Sequence, residues 1–229
     1  MNWDAPQKPA ELSENRLICA ILDGQFPIDS NLPAERELAA SLGVTRPTLR
    51  EVLQRMARDG WLEIRHGKPT RVRNYWREGN LGVLAAIAQN TGSLPADFPA
   101  HMLVIRSLLA PAYTRQAVER SATQVVELLQ PFQSMRDDAA IYTEWDWRLQ
   151  IELTILSGNP AFTLIYNSFA GLYQVLGVAY FQTADNRALS QQFYRDLRAC
   201  AQSADAAAAE ECVRRTMLAS QKLWQQVRI

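Results

Sequence analysis

Residues 32–72, LPAERELAASLGVTRPTLREVLQRMARDGWLEIRHGKPTRV, set the narrowest limits on how this chain can fold. Leu38, Ala39 and Leu42 recur at helical spacing, and Pro33 suits a first helical turn, where its missing N–H costs nothing. Gly43 supplies the left-handed residue that ends a helix. Thr45 is a favoured N-cap for a second helix, whose apolar face is Leu49, Val52, Leu53 and Met56. After Asp59-Gly60 come two short strand-like runs, Trp61–Arg65 and Thr70–Arg73, around His66-Gly67-Lys68-Pro69, which reads as a hairpin. Helix, tight turn, helix and hairpin in that order make a winged helix-turn-helix, a shape that lays its second helix in the major groove of DNA.

Thr45, Arg46, Thr48 and Arg50 stand at the start of the second helix, where side chains and the positive helix end meet bases and phosphates. Arginine is the commonest bidentate reader of guanine, and threonine reaches phosphate or a thymine methyl. His66, Gly67 and Lys68 form the hairpin tip, where glycine lets the backbone approach DNA closely. From Arg36 to Arg77 there are ten Lys/Arg against four Asp/Glu, a local balance of +6 in a chain of zero net charge. Such a stretch favours phosphate contact through counterion release. The same arginines would also suit a solvated helix face. Cap, turn and hairpin together decide for DNA.

At 229 residues there is room for two domains. Residues 10–23 read as a further helix ahead of the winged motif, with Leu17, Ile18 and Ile21 inward. YWREGN at 75–80 reads as the joint, which divides the chain into 1–74, a linker at 75–80, and 81–229. Helical patterns then run near 81–90, 98–119, 122–136, 139–156, 161–182, 186–203 and 206–227, with breaks at Gly92–Pro95, Gly158-Asn159-Pro160 and Ala184-Asp185-Asn186. No segment there alternates like a strand. The expected fold is mainly α: the winged unit, then an antiparallel helical bundle with a cavity between its helices. On the last helix Met217, Ser220 and Trp224 fall at i, i+3 and i+7, on one face.

Several functions are disfavoured. There is no long apolar leader and no run of roughly 18 apolar residues to span a membrane. Cys19, Cys200 and Cys212 suit neither a disulfide framework nor a zinc motif, so each is expected to pack as a small apolar side chain in a reducing cytoplasm. Gly-rich phosphate loops, G-x-S-x-G and H-E-x-x-H are missing, and one histidine outside the hairpin leaves little for Ser–His or Cys–His chemistry. No enzyme and no cofactor are expected.

The stretch from Leu32 to Val72 resembles the DNA-binding domain of the GntR family of bacterial regulators, and RDGWL…HGKPT resembles the FadR branch of that family. SGNP at 157–160, GLY at 171–173, YF at 180–181, FY at 193–194 and VRRTMLASQKLW at 213–224 extend the resemblance through that branch's helical effector domain. The resemblance implies operator contacts at Arg36, Thr45, Arg46, Thr48, Arg50, His66 and Gly67, with Lys68 on phosphate beside them. It also implies a homodimer on a pseudo-palindromic operator, repressing or activating genes of fatty-acid metabolism according to operator position. Long-chain acyl-CoA would release it. Arg106, Tyr180, Tyr194, Ser220 and Trp224 match ligand-contacting positions, and Asp146 a cavity-proximal one, as partner of Arg106. Many GntR relatives instead hold a metal through one Asp and three His, which two histidines, His66 and His101, cannot supply.

The chain departs from the branch at Pro47, where a threonine is expected, and at Thr216, Met217 and Ala219, which stand for a tyrosine, a glycine and a glutamate. Met217 is expected to add bulk where the ligand approaches the backbone. Rival readings follow from these residues: a GntR regulator answering a different effector such as an organic acid, an architectural DNA-binding protein, or an acyl-CoA carrier with a vestigial DNA domain.

Overall fold

The computed structural model describes residues 8–90, 92 and 97–225. The chain divides into two compact units, Met1–Leu94 and Pro95–Ile229. In the first, α1 (Pro9–Leu22) turns Leu17, Ile18 and Ile21 inward, and α2 (Glu35–Leu42) buries Leu38 and Ala39. Both pack against α3 (Arg46–Asp59), whose Leu49, Val52, Leu53 and Met56 are fully buried. Gly43 ends α2 at φ 71°. Pro33 lies ahead of α2 rather than in its first turn. A residue before proline is held extended, and Leu32 uses that extension to donate its N–H to Thr70 O at 2.8 Å.

The hairpin pairs β1 (Leu62–Glu63) with β2 (Arg71–Val72), antiparallel, Leu62 opposite Val72 and Glu63 opposite Arg71. Its ladder is shorter than the two runs in the sequence. The far side of β2 is covered instead by residues 29–32: Asp29 N–H reaches Val72 O and Val72 N–H reaches Ser30 O, both at 2.9 Å.

The joint expected at 75–80 is folded. α4 (Tyr75–Glu78) sets the Tyr75 ring 4.7 Å from that of Trp61, and α5 (Leu81–Gln89) buries Val83, Ile87 and Ala88. A Cβ on Gly60, at the end of α3, would lie 2.8 Å from both Glu78 O and Gly79 Cα, so only glycine lets these backbones meet. Asn80 closes the seam, its N–H donating to Asp59 O at 3.1 Å and its Nδ2 to Arg58 O at 3.2 Å, while its Oδ1 caps α5.

The second unit is helical throughout its described residues. α6 (Phe98–Leu128) carries Pro111 and kinks at Ser121 (φ −147°, ψ 41°), where the two sequence patterns meet. It stops well short of 136, because Pro131 opens a separate 3-10 turn, Pro131–Ser134. α7 (Ala139–Leu156) is capped by Asp138, and α8 (Pro160–Asn167) by Asn159. The single pattern over 161–182 is two helices, α8 and α9 (Ala170–Phe181), bent by 70°. Ser168 Oγ donates to Leu164 O at the bend, a back-bond of the kind that bends helices. α10 (Ala184–Gln202) starts earlier than the sequence suggests: Thr183 is its cap, and Ala184-Asp185-Asn186 are its first turn. α11 (Ala206–Trp224) follows from the Asp205 cap. Of the expected break at Gly92–Pro95 only Gly92 is described; 93–95 and the end of the last pattern, 226–227, lie outside the described residues.

Tyr113, Leu149, Leu153, Tyr194, Leu197 and Val213 form the centre of this unit, all essentially inaccessible. α6 and α11 run antiparallel, joined by Gln221 to Leu103 O at one end and Arg115 to Glu210 at the other. No single described helix is long and apolar enough to cross a membrane.

Candidate functional site

The exposed edge of the first unit gathers the residues singled out by the sequence. Thr45 Oγ1 accepts the Thr48 N–H at 3.3 Å and lies 2.8 Å from Thr48 Oγ1, so both hydroxyls sit at the open N-terminus of α3. Arg46 and Pro47 are the next two residues of that helix, both exposed. Proline here costs the helix nothing, since the first N–H groups have no intrahelical partner. His66, Gly67 and Lys68 are exposed at the hairpin tip, Gly67 at φ 68°.

Charge counting overstates the free cations. Arg50 pairs with Glu35 at 2.8 Å, Arg55 with Glu14 and Glu51, and Arg71 with Glu63 and Asp29. Arg58, Arg65 and Arg73 lie 3.5–3.6 Å from Asp59, Glu63 and Glu78. Among the described residues Arg36, Arg46, Lys68 and Arg77 have no ion-pair partner, and the first three belong to the expected DNA face. The exposed Arg50–Glu35 pair is worth at most ~1 kcal/mol, so phosphate can displace the glutamate.

The second unit holds a cavity between α6, α9 and α11, open to solvent at its mouth. α6 contributes Met102, Leu103, Ile105, Arg106 and Leu109; α8 and the turn after it give Tyr166 and Phe169. α9 contributes Leu172, Tyr173, Leu176, Gly177, Tyr180 and Phe181, and α11 Ser220 and Trp224. Tyr180 donates to Ser220 Oγ at 3.1 Å and stacks on Trp224, centroids 6.4 Å apart.

One charged group stands in this apolar wall. Arg106 Nη2 donates to Asp146 Oδ2 at 2.7 Å, and its guanidinium lies over the Tyr173 ring, 5.3 Å from the centroid. Asp146, 2% exposed, also accepts the Tyr173 hydroxyl and, at 2.9 Å, that of Tyr194. Burial pushes both tyrosine hydroxyls well above their usual range, so they remain neutral donors. Tyr113, Tyr166 and Gln150 continue the buried polar chain, the two tyrosine oxygens 2.9 Å apart.

Of the seven ligand residues expected from sequence, Arg106, Tyr180, Ser220 and Trp224 line the cavity. Asp146 and Tyr194 stand behind the wall, Asp146 bonded to Arg106 and Tyr173 and Tyr194 to Asp146. Met217 does not reach the cavity: it is 3% exposed and packs into the helical core. Contrary to the expectation from sequence, its bulk therefore does not meet the cavity, which α11 reaches through Ser220 and Trp224. Thr216 is likewise inward, donating to Cys212 O at 3.0 Å. Tyr173 was not singled out, although its i, i+7 spacing from Tyr180 puts both on one face of α9. Cys212 is buried, which pushes its thiol up to about 12, while Cys19 and Cys200 are partly exposed.

Family models match both units: "Bacterial regulatory proteins, gntR family" over residues 13–72 and "FadR C-terminal domain" over residues 73–229. The chain belongs to the GntR/FadR family of transcription regulators. The fatty acid metabolism regulator protein of Shewanella pealeana is 41% identical over 223 residues, 96% of this chain and 92% of that protein. Its namesake in Haemophilus influenzae strain PittEE is 38% identical over 222 residues, with the same coverage. This GntR/FadR member is accordingly a transcription regulator of fatty acid metabolism and not an enzyme. The solved structure of Lar, which controls expression of the Listeria monocytogenes agr system, shares the fold (TM-score 0.64 over 100% of both chains) at 13% identity.

Proposed function

We propose that this regulator binds a pseudo-palindromic operator as a homodimer in the cytoplasm and releases it when long-chain acyl-CoA enters the second unit. The single observation that carries this reading is the α6–α9–α11 cavity, apolar over most of its wall. An acyl chain gains about 0.8 kcal/mol for each methylene it buries, so a long chain in such a slot binds tightly without any covalent step. On the DNA side, Thr45, Arg46 and Thr48 at the N-terminus of α3 read base edges, with Arg50 freed from Glu35 on contact. Arg36, His66, Gly67 and Lys68 hold phosphates or the minor-groove edge. The ligand acts by preferring a conformation in which the two recognition helices are wrongly spaced for the half-sites.

Fluorescence anisotropy of a FadR-type operator duplex, titrated with oleoyl-CoA at fixed protein and salt, tests this. Loss of the complex with oleoyl-CoA, and not with CoA or oleate, is the expected result. Operator binding that ignores acyl-CoA overturns the effector assignment. A second reading, a regulator answering a small carboxylate, is favoured by Arg106, whose Nε–H is buried without a hydrogen-bond partner among the described residues. Release by a short organic acid in the same titration would decide for it.

A further inference from the structure

α9 is the shared wall of two spaces. Six of its residues line the cavity, and three of these, Tyr173, Gly177 and Phe181, also meet α7, none of whose residues lines the cavity among those described. Gly177 meets Thr143 of α7 at close range. A Cβ built on Gly177 would lie 2.5 Å from Thr143 Cγ2, 3.2 Å from its Oγ1 and 3.4 Å from its Cβ. Thr143 has little freedom to yield: it is fully buried, and its hydroxyl donates to Ala139 O at 2.8 Å, which fixes the rotamer.

We propose that the Gly177–Thr143 contact sets the width of the acyl slot and so determines which chain lengths the effector site accepts. This rests on the acyl-CoA reading above. A methyl on Gly177 can reach ordinary van der Waals distance from Thr143 only by driving α9 off α7, a shift of about 1 Å. That shift displaces the helix that carries six of the cavity's lining residues. Leu172, Leu176 and Phe181 move with it, which on this proposal narrows the slot. Tyr173, one turn before Gly177, is carried away from Asp146 by the same shift.

The prediction separates from general damage through the identity of the clashing atoms. Thr143→Ala removes Cγ2 and Oγ1 and leaves only the Cβ contact, which an alanine at 177 tolerates. Calorimetric titration with saturated acyl-CoAs from octanoyl to octadecanoyl is run on wild type, Gly177→Ala, Thr143→Ala and the double variant. Gly177→Ala should lose about tenfold in affinity for the longest chains while the shortest change little, because a pocket narrowed by roughly a methyl group discriminates by that factor. The double variant should recover the wild-type profile. Equal loss at every chain length, or no recovery in the double variant, overturns the proposal. Should Gly177→Ala fail to fold, recovery of folding and of the profile together in the double variant supports the contact, and recovery of folding with a truncated profile overturns it. A wild-type protein that binds none of the series overturns the acyl-CoA reading itself, and this inference with it.

Discussion

Replacing Tyr194 by phenylalanine isolates a single buried hydrogen bond. The ring is fully buried against Phe132, Trp145 and Phe193, and phenylalanine keeps those contacts. What is lost is one donor to the Asp146 carboxylate, at 2.9 Å. Hydrogen bonds to charged groups contribute about 1.5–3 kcal/mol net. Asp146 retains Arg106 and Tyr173, so the carboxylate is not orphaned and the lower half of that range applies: about 1.5–2 kcal/mol. For a chain of this size each kcal/mol moves the melting midpoint by about 2–4 °C, which gives a fall of roughly 3–8 °C. Scanning calorimetry and urea unfolding measure it, with Tyr180→Phe as the comparison. Tyr180 donates to a neutral hydroxyl on a cavity wall that water can reach, and its loss should cost under ~1 kcal/mol. If Tyr194→Phe is no more destabilising than Tyr180→Phe, the carboxylate does not organise the wall as described.

Three further outcomes are expected. Arg46→Ala should weaken specific operator binding by about 1–3 kcal/mol while leaving non-specific binding nearly unchanged, checked by competition with unrelated duplex; equal loss of both makes Arg46 a phosphate contact. Trp224→Ala removes a ring stacked on Tyr180 at the cavity and should weaken acyl-CoA binding by about tenfold, the effect of ~1.4 kcal/mol of lost burial, measured by titration calorimetry. Burial raises the hydroxyls of Tyr113, Tyr173 and Tyr194 above the usual value of 10.0. The folded state therefore keeps protons that the unfolded chain gives up, so stability should be insensitive to these groups up to about pH 9 and fall as pH rises beyond about 10, more gently in Tyr194→Phe.

Much of the first unit could be read from residues alone because its signals are local. A cap at Thr45, a stop at Gly43 and an apolar stripe from Leu49 to Met56 each act within one or two helical turns. What escaped was set by distant partners. Pro33 fell outside its helix because Leu32 is committed to Thr70, 38 positions away. The folded stretch at 75–80 depends on Gly60 meeting Gly79, which no periodicity reports. In the second unit, α8 and α9 together read as one largely apolar stretch, so the 70° bend between them, marked only by Ser168, was not legible as a break. Of the four candidates that line the cavity, Ser220 and Trp224 were legible as members of a helix face, while Arg106 and Tyr180 came only from the family resemblance. Asp146 was paired with its actual neighbour Arg106, yet it and Tyr194 stand one layer too deep, and Met217 faces the core, because which side of a helix meets a cavity is decided by the helices around it.

The seam between the end of α3 and the start of α5 bears on how heads of this kind can be exchanged. Gly60 and Gly82 each leave room for a neighbour that a methyl group would strike, at Glu78 O and at the Asp59 carboxyl. A chimera cut after the hairpin, near Asn74, would separate Gly60 from its matching surface, strip Tyr75 from Trp61 and leave the recognition helix without its support. A graft that carries α4 and α5 along, with the crossover beyond Gln89, transplants the reading head whole.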